Sequence, residues 1–280
     1  MTREDIIREL EVKGFNVEMK DTVKNGVICK GILVHDEKDV NPLIYTEQMI
    51  QEADKRKKTL EEVVDEFIKV YENSKDCMKM EIQRRRWIRY LMNRDWVMKH
   101  LSIAIQKSSD ENLVKHDLDN FTGMEAYLLL MENGKEDESY SMKIETCHLK
   151  QWNISEEEAW KIAYKHICEE THIVGMSQMM SELIGAPVEE EEDDMMYVIS
   201  NSDKMKGASA ILNEKALKEF AQKKGVARLY VLPSSVHEMI IIPDNGEFDL
   251  SVLSEMVSEV NNTEVKPEEQ LPSRAYLLEF

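Results

Sequence analysis

The sequence is short of the residues that interrupt regular structure. Ten glycines and six prolines in 280 residues are about half of the roughly 12% found in average chains, so long irregular connections should be few. Its four cysteines, Cys29, Cys77, Cys147 and Cys168, stand far apart. Neither a CxxC metal knuckle nor a disulfide framework is therefore expected, and the cysteines read as buried thiols of a reducing compartment. No run of ~18 apolar residues occurs, which leaves nothing to form a membrane-spanning helix. Met1 to Asp5 leads straight into an acidic amphipathic segment without the apolar stretch of a signal peptide, and a cytoplasmic location is expected. Walker loops, Rossmann glycine fingerprints and HExxH helices are also missing. No motif dictates a chemistry, and no cofactor is expected.

What the chain does have is charge of one sign over a normal apolar content. Lys and Arg number 36 against 55 Asp and Glu, a formal net charge of −19, while 42% of residues are hydrophobic. That balance describes a folded protein rather than a disordered one. The length is enough for one large domain or two ordinary ones. Most of the imbalance lies in residues 141–280, with 26 acidic and 13 basic side chains.

The periodicities predict an α+β chain of two lobes, each a small antiparallel or mixed sheet covered by amphipathic helices. In the N-terminal lobe, residues 1–75, a helix over 2–13 ends at Gly14, and Phe15–Lys20 and Val27–Val34 flank Asn25-Gly26, a pair suited to a tight hairpin. Leu43 to Tyr45 can add a strand. Thr59 and Glu62 stand at capping-box spacing before a stripe of Leu60, Val63, Val64, Phe67, Ile68 and Tyr71. Residues 76–107 read as helix broken near Asn93, which makes 76–110 a helical connector.

The C-terminal lobe, residues 111–280, begins with a polar passage to Asn120. Strands are predicted at Met124–Met131 and Tyr140–Cys147 around Asn133-Gly134. Ser155 and Glu158 open a helix with Trp160, Ala163, Tyr164, Ile167 and Cys168 on its apolar side. The acids Glu189 to Asp194, with no apolar residue among them to bury, make residues 186–194 a solvated acidic loop. Met196–Ile199, Leu229–Leu232 and Met239–Ile242 read as strands, with helices at Asn213–Lys224 and Asp249–Val260, the latter burying Leu253, Met256, Val257 and Val260. Tyr276 to Leu278 reads as an edge strand.

Several segments carry a resemblance: Met196 to Val198 through Gly207-Ala208, Leu232-Pro233-Ser234-Ser235-Val236-His237-Glu238, Glu259 to Thr263, and Pro267 to Glu269 with Tyr276. With Lys24 to Val27, Gly31-Ile32 and Pro42 to Tyr45, they make the chain similar to an uncharacterised bacterial family. That family is catalogued as domain of unknown function 5688 and found in anaerobic Gram-positive bacteria. The likeness spans nearly the whole chain, is weakest at about 106–120, and implies a shared fold but no mechanism.

Candidate sites are therefore weighed on chemistry. Ser234, Ser235, His237 and Glu238 supply the residue types of an activated nucleophile. If the flanking runs pair, however, this segment is their turn, with His237 and Glu238 on opposite faces. Cys147, His148, His166, Cys168 and His172 are metal-ligand types whose helical spacing does not converge. Arg84, Arg85, Arg86, Arg89 and Arg94, interleaved with Trp87 and Trp96, could bind phosphates and stack on bases. A net charge of −19 opposes nucleic acid at long range, which favours an inter-lobe surface that meets the acidic half. Met176, Met179 and Met180 near Leu183 and Ile184 suit an adaptable contact surface or core filling.

The expectation is a non-enzymatic cytoplasmic protein that binds another protein through the inter-lobe region. The alternatives are a hydrolase or transferase at Ser234, Ser235 and His237, and an acidic mimic of nucleic acid.

Overall fold

The computed structural model describes residues 1–35, 41–75, 89–133, 139–185 and 194–280. It divides into two compact units, Met1–Arg89 and Tyr90–Phe280. The architecture is α+β, and every strand pair among the described residues is antiparallel.

In the smaller unit, α1 (Arg3–Val12) starts with a capping box between Thr2 and Asp5. It ends at Gly14, whose φ of +89° is the left-handed turn that glycine adopts without strain. Strands β1 (Val17–Lys24) and β2 (Val27–Val34) form the hairpin predicted from Asn25-Gly26, both of which have positive φ. The edge strand β3 (Leu43–Tyr45) pairs with β2. Helix α2 (Glu47–Arg56) has no counterpart in the sequence reading. Helix α3 (Leu60–Lys75) opens with the reciprocal Thr59–Glu62 capping box. Ile6 and Leu10 meet Val63, Val64, Phe67 and Tyr71 over Ile32, Val34 and Ile44. The fully buried Phe67 alone contributes about 2–3 kcal/mol of transfer free energy.

The larger unit holds two sheets. Helix α4 (Arg94–His100) is capped by Asn93, where a break is predicted, but Leu101–Lys107 is strand β4 rather than more helix. No glycine or proline separates the two, and Leu101 turns the chain by adopting an extended ψ. Strand β6 (Met124–Asn133) is the spine of the first sheet. It pairs with β4 on one edge and, end to end on the other, with β5 (Lys115–Asp117) and β7 (Ser139–Lys143). The β6–β7 and β1–β2 pairs therefore lie in separate sheets, while Gly134 of the predicted turn lies outside the described residues. The strand expected to reach Cys147 stops at Lys143, and Thr146–Trp152 forms α5.

Helix α6 (Glu156–Glu170) covers the first sheet through Ala159, Ala163 and Ile167, while Tyr164 and Cys168, assigned to its buried stripe, are exposed. Two alanines four residues apart allow the helix close to β4, and this rotates the stripe by one position. Next come β8 (Thr171–Gly175), α7 (Met176–Ile184) and β9 (Tyr197–Asn201). A 3-10 turn (Gly207–Leu212), α8 (Glu214–Lys224), β10 (Arg228–Ser235) and β11 (Glu238–Pro243) follow. The chain closes with α9 (Leu250–Thr263) and β12 (Tyr276–Glu279).

The second sheet runs β12-β10-β11-β9-β8. One face packs on Leu253 and Val257 of α9. The other shares a core with the 3-10 turn, α8, and Ile105 and Met124 of the first sheet. Met256 and Val260, expected inside, are exposed. Asp194 does not hang in solvent: its carboxylate accepts from the Ser177 hydroxyl at 2.6 Å and lies 3.4 Å from the Ser177 amide, capping α7. The remainder of the acidic run, Glu189 to Asp193, lies outside the described residues.

Candidate functional site

Ser234, Ser235, His237 and Glu238 form the predicted turn, in which Val236 and His237 link paired β10 and β11. Ser235 Oγ accepts from the His237 backbone amide at 3.1 Å, not from the ring. The His237 Nδ1 accepts from the Lys206 amide at 3.3 Å, and its Nε2 stands 3.9 Å from Glu269. Burial, and then the charge of Lys206, push the imidazole below its usual pKa. A ring whose Nδ1 already accepts a backbone proton is neutral and oriented. Ser234 faces Glu238 at 3.5 Å, the outer limit of a hydrogen bond. The turn is further held by Val236 N donating to Glu269 O and Ser200 Oγ donating to His237 O. Geometry thus spends these groups on anchoring a turn.

The remaining sequence-derived candidates are dispersed. Arg84, Arg85, Arg86 and Trp87 lie outside the described residues. Arg89 is exposed, and Arg94 pairs with Glu158 at 2.8 Å. Trp96 stacks between Tyr90 and His100, with ring centroids 5.0 and 3.9 Å away. His148 Nδ1 accepts from the Glu145 amide, His166 donates to Leu101 O, and His172 meets Ser202. Cys147 and Cys168 are exposed rather than buried as expected, whereas Cys29 is buried. Among the described residues, no group of three His, Cys, Asp or Glu side chains is placed to hold a metal ion.

Two features of the larger unit escape the sequence patterns. One is a buried polar cluster inside the passage that reads as merely polar. Glu125, 2% exposed, accepts from Gln106 (2.7 Å) and from the Ser109 hydroxyl (2.8 Å) and amide (3.2 Å), and it pairs with Lys115 at 3.0 Å. Burial would raise its pKa, but these hydrogen bonds outweigh it and hold the carboxyl below the ordinary range. Lys143 reaches Glu111 at 2.6 Å and Gln106 at 3.0 Å. Register opposes Gln106 to Glu125 and Ala104 to Tyr127, so the cluster lies on the sheet face away from α6. It fixes the β4–β5 connection.

The other feature is a cleft of about 900 Å³ on the α6 side. Ile103 and Ala126 give an apolar floor, and His116 and Leu118 form one wall. Trp160 and Tyr164, four apart on α6, line the cleft as well, with Leu212 and Glu214. The Trp160 ring packs on His116 at 4.5 Å. Its Nε1 is buried with no hydrogen-bond partner among the described residues. Such an orphan donor carries a cost of about 1–3 kcal/mol until an acceptor meets it. A second cleft of about 320 Å³ shares Leu118, Leu212 and Glu214 with the first. The two make one groove. Its signal in the sequence is slight: Trp160 and Tyr164 look like core at helical spacing, and only Ala159 and Ala163 beside them reveal that the true buried face lies one position back.

The family model described as a family of unknown function, DUF5688, matches residues 1–279. The chain belongs to this family. Comparison with the curated proteins and with the solved structures finds no match. The family match takes in both units and includes the groove and the His237 turn.

Proposed function

We propose that this member of the family is a non-catalytic binding protein whose partner is another protein, received in the groove of the larger unit. The observation that carries the reading is the apolar cleft of about 900 Å³ beside the ring of Trp160. An apolar side chain seated on Ile103 and Ala126 beside the Trp160 ring gains transfer free energy. The groove's extension past Leu118 and Leu212 suits an elongated segment better than a compact metabolite. The engagement of Ser235 and His237 in holding their own turn also supports binding over hydrolysis. The reading keeps the expectation of a protein partner and seats it within the larger unit.

The test is photo-crosslinking in the native cell with p-benzoylphenylalanine in place of the exposed Tyr164, and in place of the exposed Val12 of the smaller unit as control. A discrete protein adduct at position 164 and not at 12 is expected. The absence of any protein adduct at 164, or identical adducts at both, would overturn the reading. Retention of a small molecule instead would move the protein into the class of metabolite sensors.

A further inference from the structure

The groove has a charge as well as a shape. Its rim carries Asp117 at the end of β5, Asp119 after it, Glu156 and Glu157 in the first turn of α6, Glu214 at the start of α8, and Glu279 at the end of β12. All six are exposed. The cationic residues on the same lining are Lys161 and Lys218, and Lys218 is turned toward Glu214 at 3.6 Å. Glu156 lies 3.8 Å from His116. Asp117, Asp119, Glu157 and Glu279 make no ion pair among the described residues. Part of this has a local reason, because acids in a helix's first turn favour its dipole. That accounts for Glu156, Glu157 and Glu214, but not for Asp117, Asp119 or Glu279, which come from a strand end, a loop and another strand. Glu156, Glu157 and Glu214 border the cleft floored by Ile103 and Ala126, and Asp117, Asp119 and Glu279 border the smaller cleft that adjoins it at Leu118, Leu212 and Glu214.

From this geometry we propose that the groove takes a cationic amphipathic segment of its partner, with apolar side chains on Ile103, Ala126 and Trp160 and Lys or Arg side chains over the acidic rim. The inference rests on the protein-binding reading above and adds the chemistry of the partner. The mode is that of an amphipathic segment laid into a groove. Apolar burial supplies affinity, while the rim charges speed encounter, exclude acidic competitors and make binding salt-dependent.

The experiment uses the full chain and two fluorescein-labelled peptides of about 14 residues, or four helical turns. Both carry Leu on one face, with Lys on the other face in the first peptide and Glu in the second, and binding is read by fluorescence anisotropy. The expected result is that the Lys peptide binds at least about tenfold more tightly than its Glu twin and weakens on going from about 0.05 M to about 0.3 M salt. The double variant Asp117→Lys/Asp119→Lys should weaken the Lys peptide at least about tenfold. Glu255→Lys/Glu259→Lys, an equal change of charge on the exposed side of α9, should have little effect. Far-ultraviolet circular dichroism verifies that both variants fold, and the comparison of the two peptides on the unaltered protein does not depend on either variant.

Equal binding of the two peptides, or equal weakening by the two double variants, would overturn the proposal. If a protein still crosslinks at position 164 while the Lys peptide shows no preference, the partner chemistry is wrong and the binding reading stands. If there is neither an adduct nor peptide binding, both fail.

Discussion

Gly207 lies so close to the His237 turn that a Cβ there would stand 2.7 Å from the His237 carbonyl oxygen and equally near the Asn201 amide, as well as striking the Ser200 hydroxyl. Two of these neighbours are backbone and cannot rotate away. The 3-10 turn can therefore seat against the β10–β11 hairpin only with hydrogen at this position. Gly207→Ala should cost about 1–3 kcal/mol, as overpacking does, and urea denaturation followed by circular dichroism measures it. A variant as stable as the parent would show that the turn gives way freely.

His237 should link stability to pH. In the folded protein its ring accepts from the Lys206 amide and is partly buried beside the Lys206 charge, which lowers its pKa. The unfolded chain takes up its proton near the free value of about 6.5. Between these two values the unfolded state holds the extra proton, so stability rises with pH. The contribution is present above about 6.5 and is lost as pH falls toward the folded value. His237→Ala should cost about 1 kcal/mol near neutrality, and the difference from the parent should shrink between about pH 7.5 and about pH 5.5. An NMR titration of the ring should show a midpoint below that of free histidine.

Asp194 and Gly175 form a second interlocked pair. A Cβ on Gly175 would land on the Asp194 carboxylate that caps α7. Asp194→Ala should lose about 1 kcal/mol of capping, so replacing the whole acidic run with Gly and Ser cannot be neutral. Gly175→Ala should be destabilising in the parent and nearly free in the Asp194→Gly background. Thermal melts of the four proteins give the coupling, and strict additivity would contradict the contact.

Glu125 is the costliest side chain to remove from the polar cluster. Glu125→Ala would leave Gln106, Ser109 and the Lys115 ammonium facing an apolar methyl, and about 3–5 kcal/mol is expected. Its folded pKa lies below the unfolded one, so its contribution holds above the unfolded value and disappears as pH falls through the folded value. Glu125→Gln should flatten that acid limb of a denaturation series while retaining part of the cluster.

Legibility in the sequence followed whether local chemistry decided the outcome. Asn25-Gly26, Thr59–Glu62, Asn213 with Gly225, and Asp249 each act within a few residues, and each marks the boundary it predicts. Strand β4 was hidden because α4 runs into it with no breaker. α2 has only Ala53 fully buried, and no capping side chain marks its start. The groove was hidden for a further reason. Leu118, Trp160 and Leu212 come to line one cleft only when the chain after β5, α6 and the 3-10 turn meet, and no spacing along the chain encodes that meeting. The His237 turn, by contrast, was readable because the apolar runs on either side of it pair as β10 and β11.

The last strand has a consequence for synthesis. β12 lies beside β10, which is made some forty residues earlier, and Tyr276 and Arg274 both donate to the Thr122 carbonyl from the far end of the unit. During synthesis the outer edge of β10 therefore stays unpaired until residues 276–279 follow it. A nascent chain stalled before Tyr276 would therefore present a bare sheet edge, the form in which chaperones and proteases would meet it.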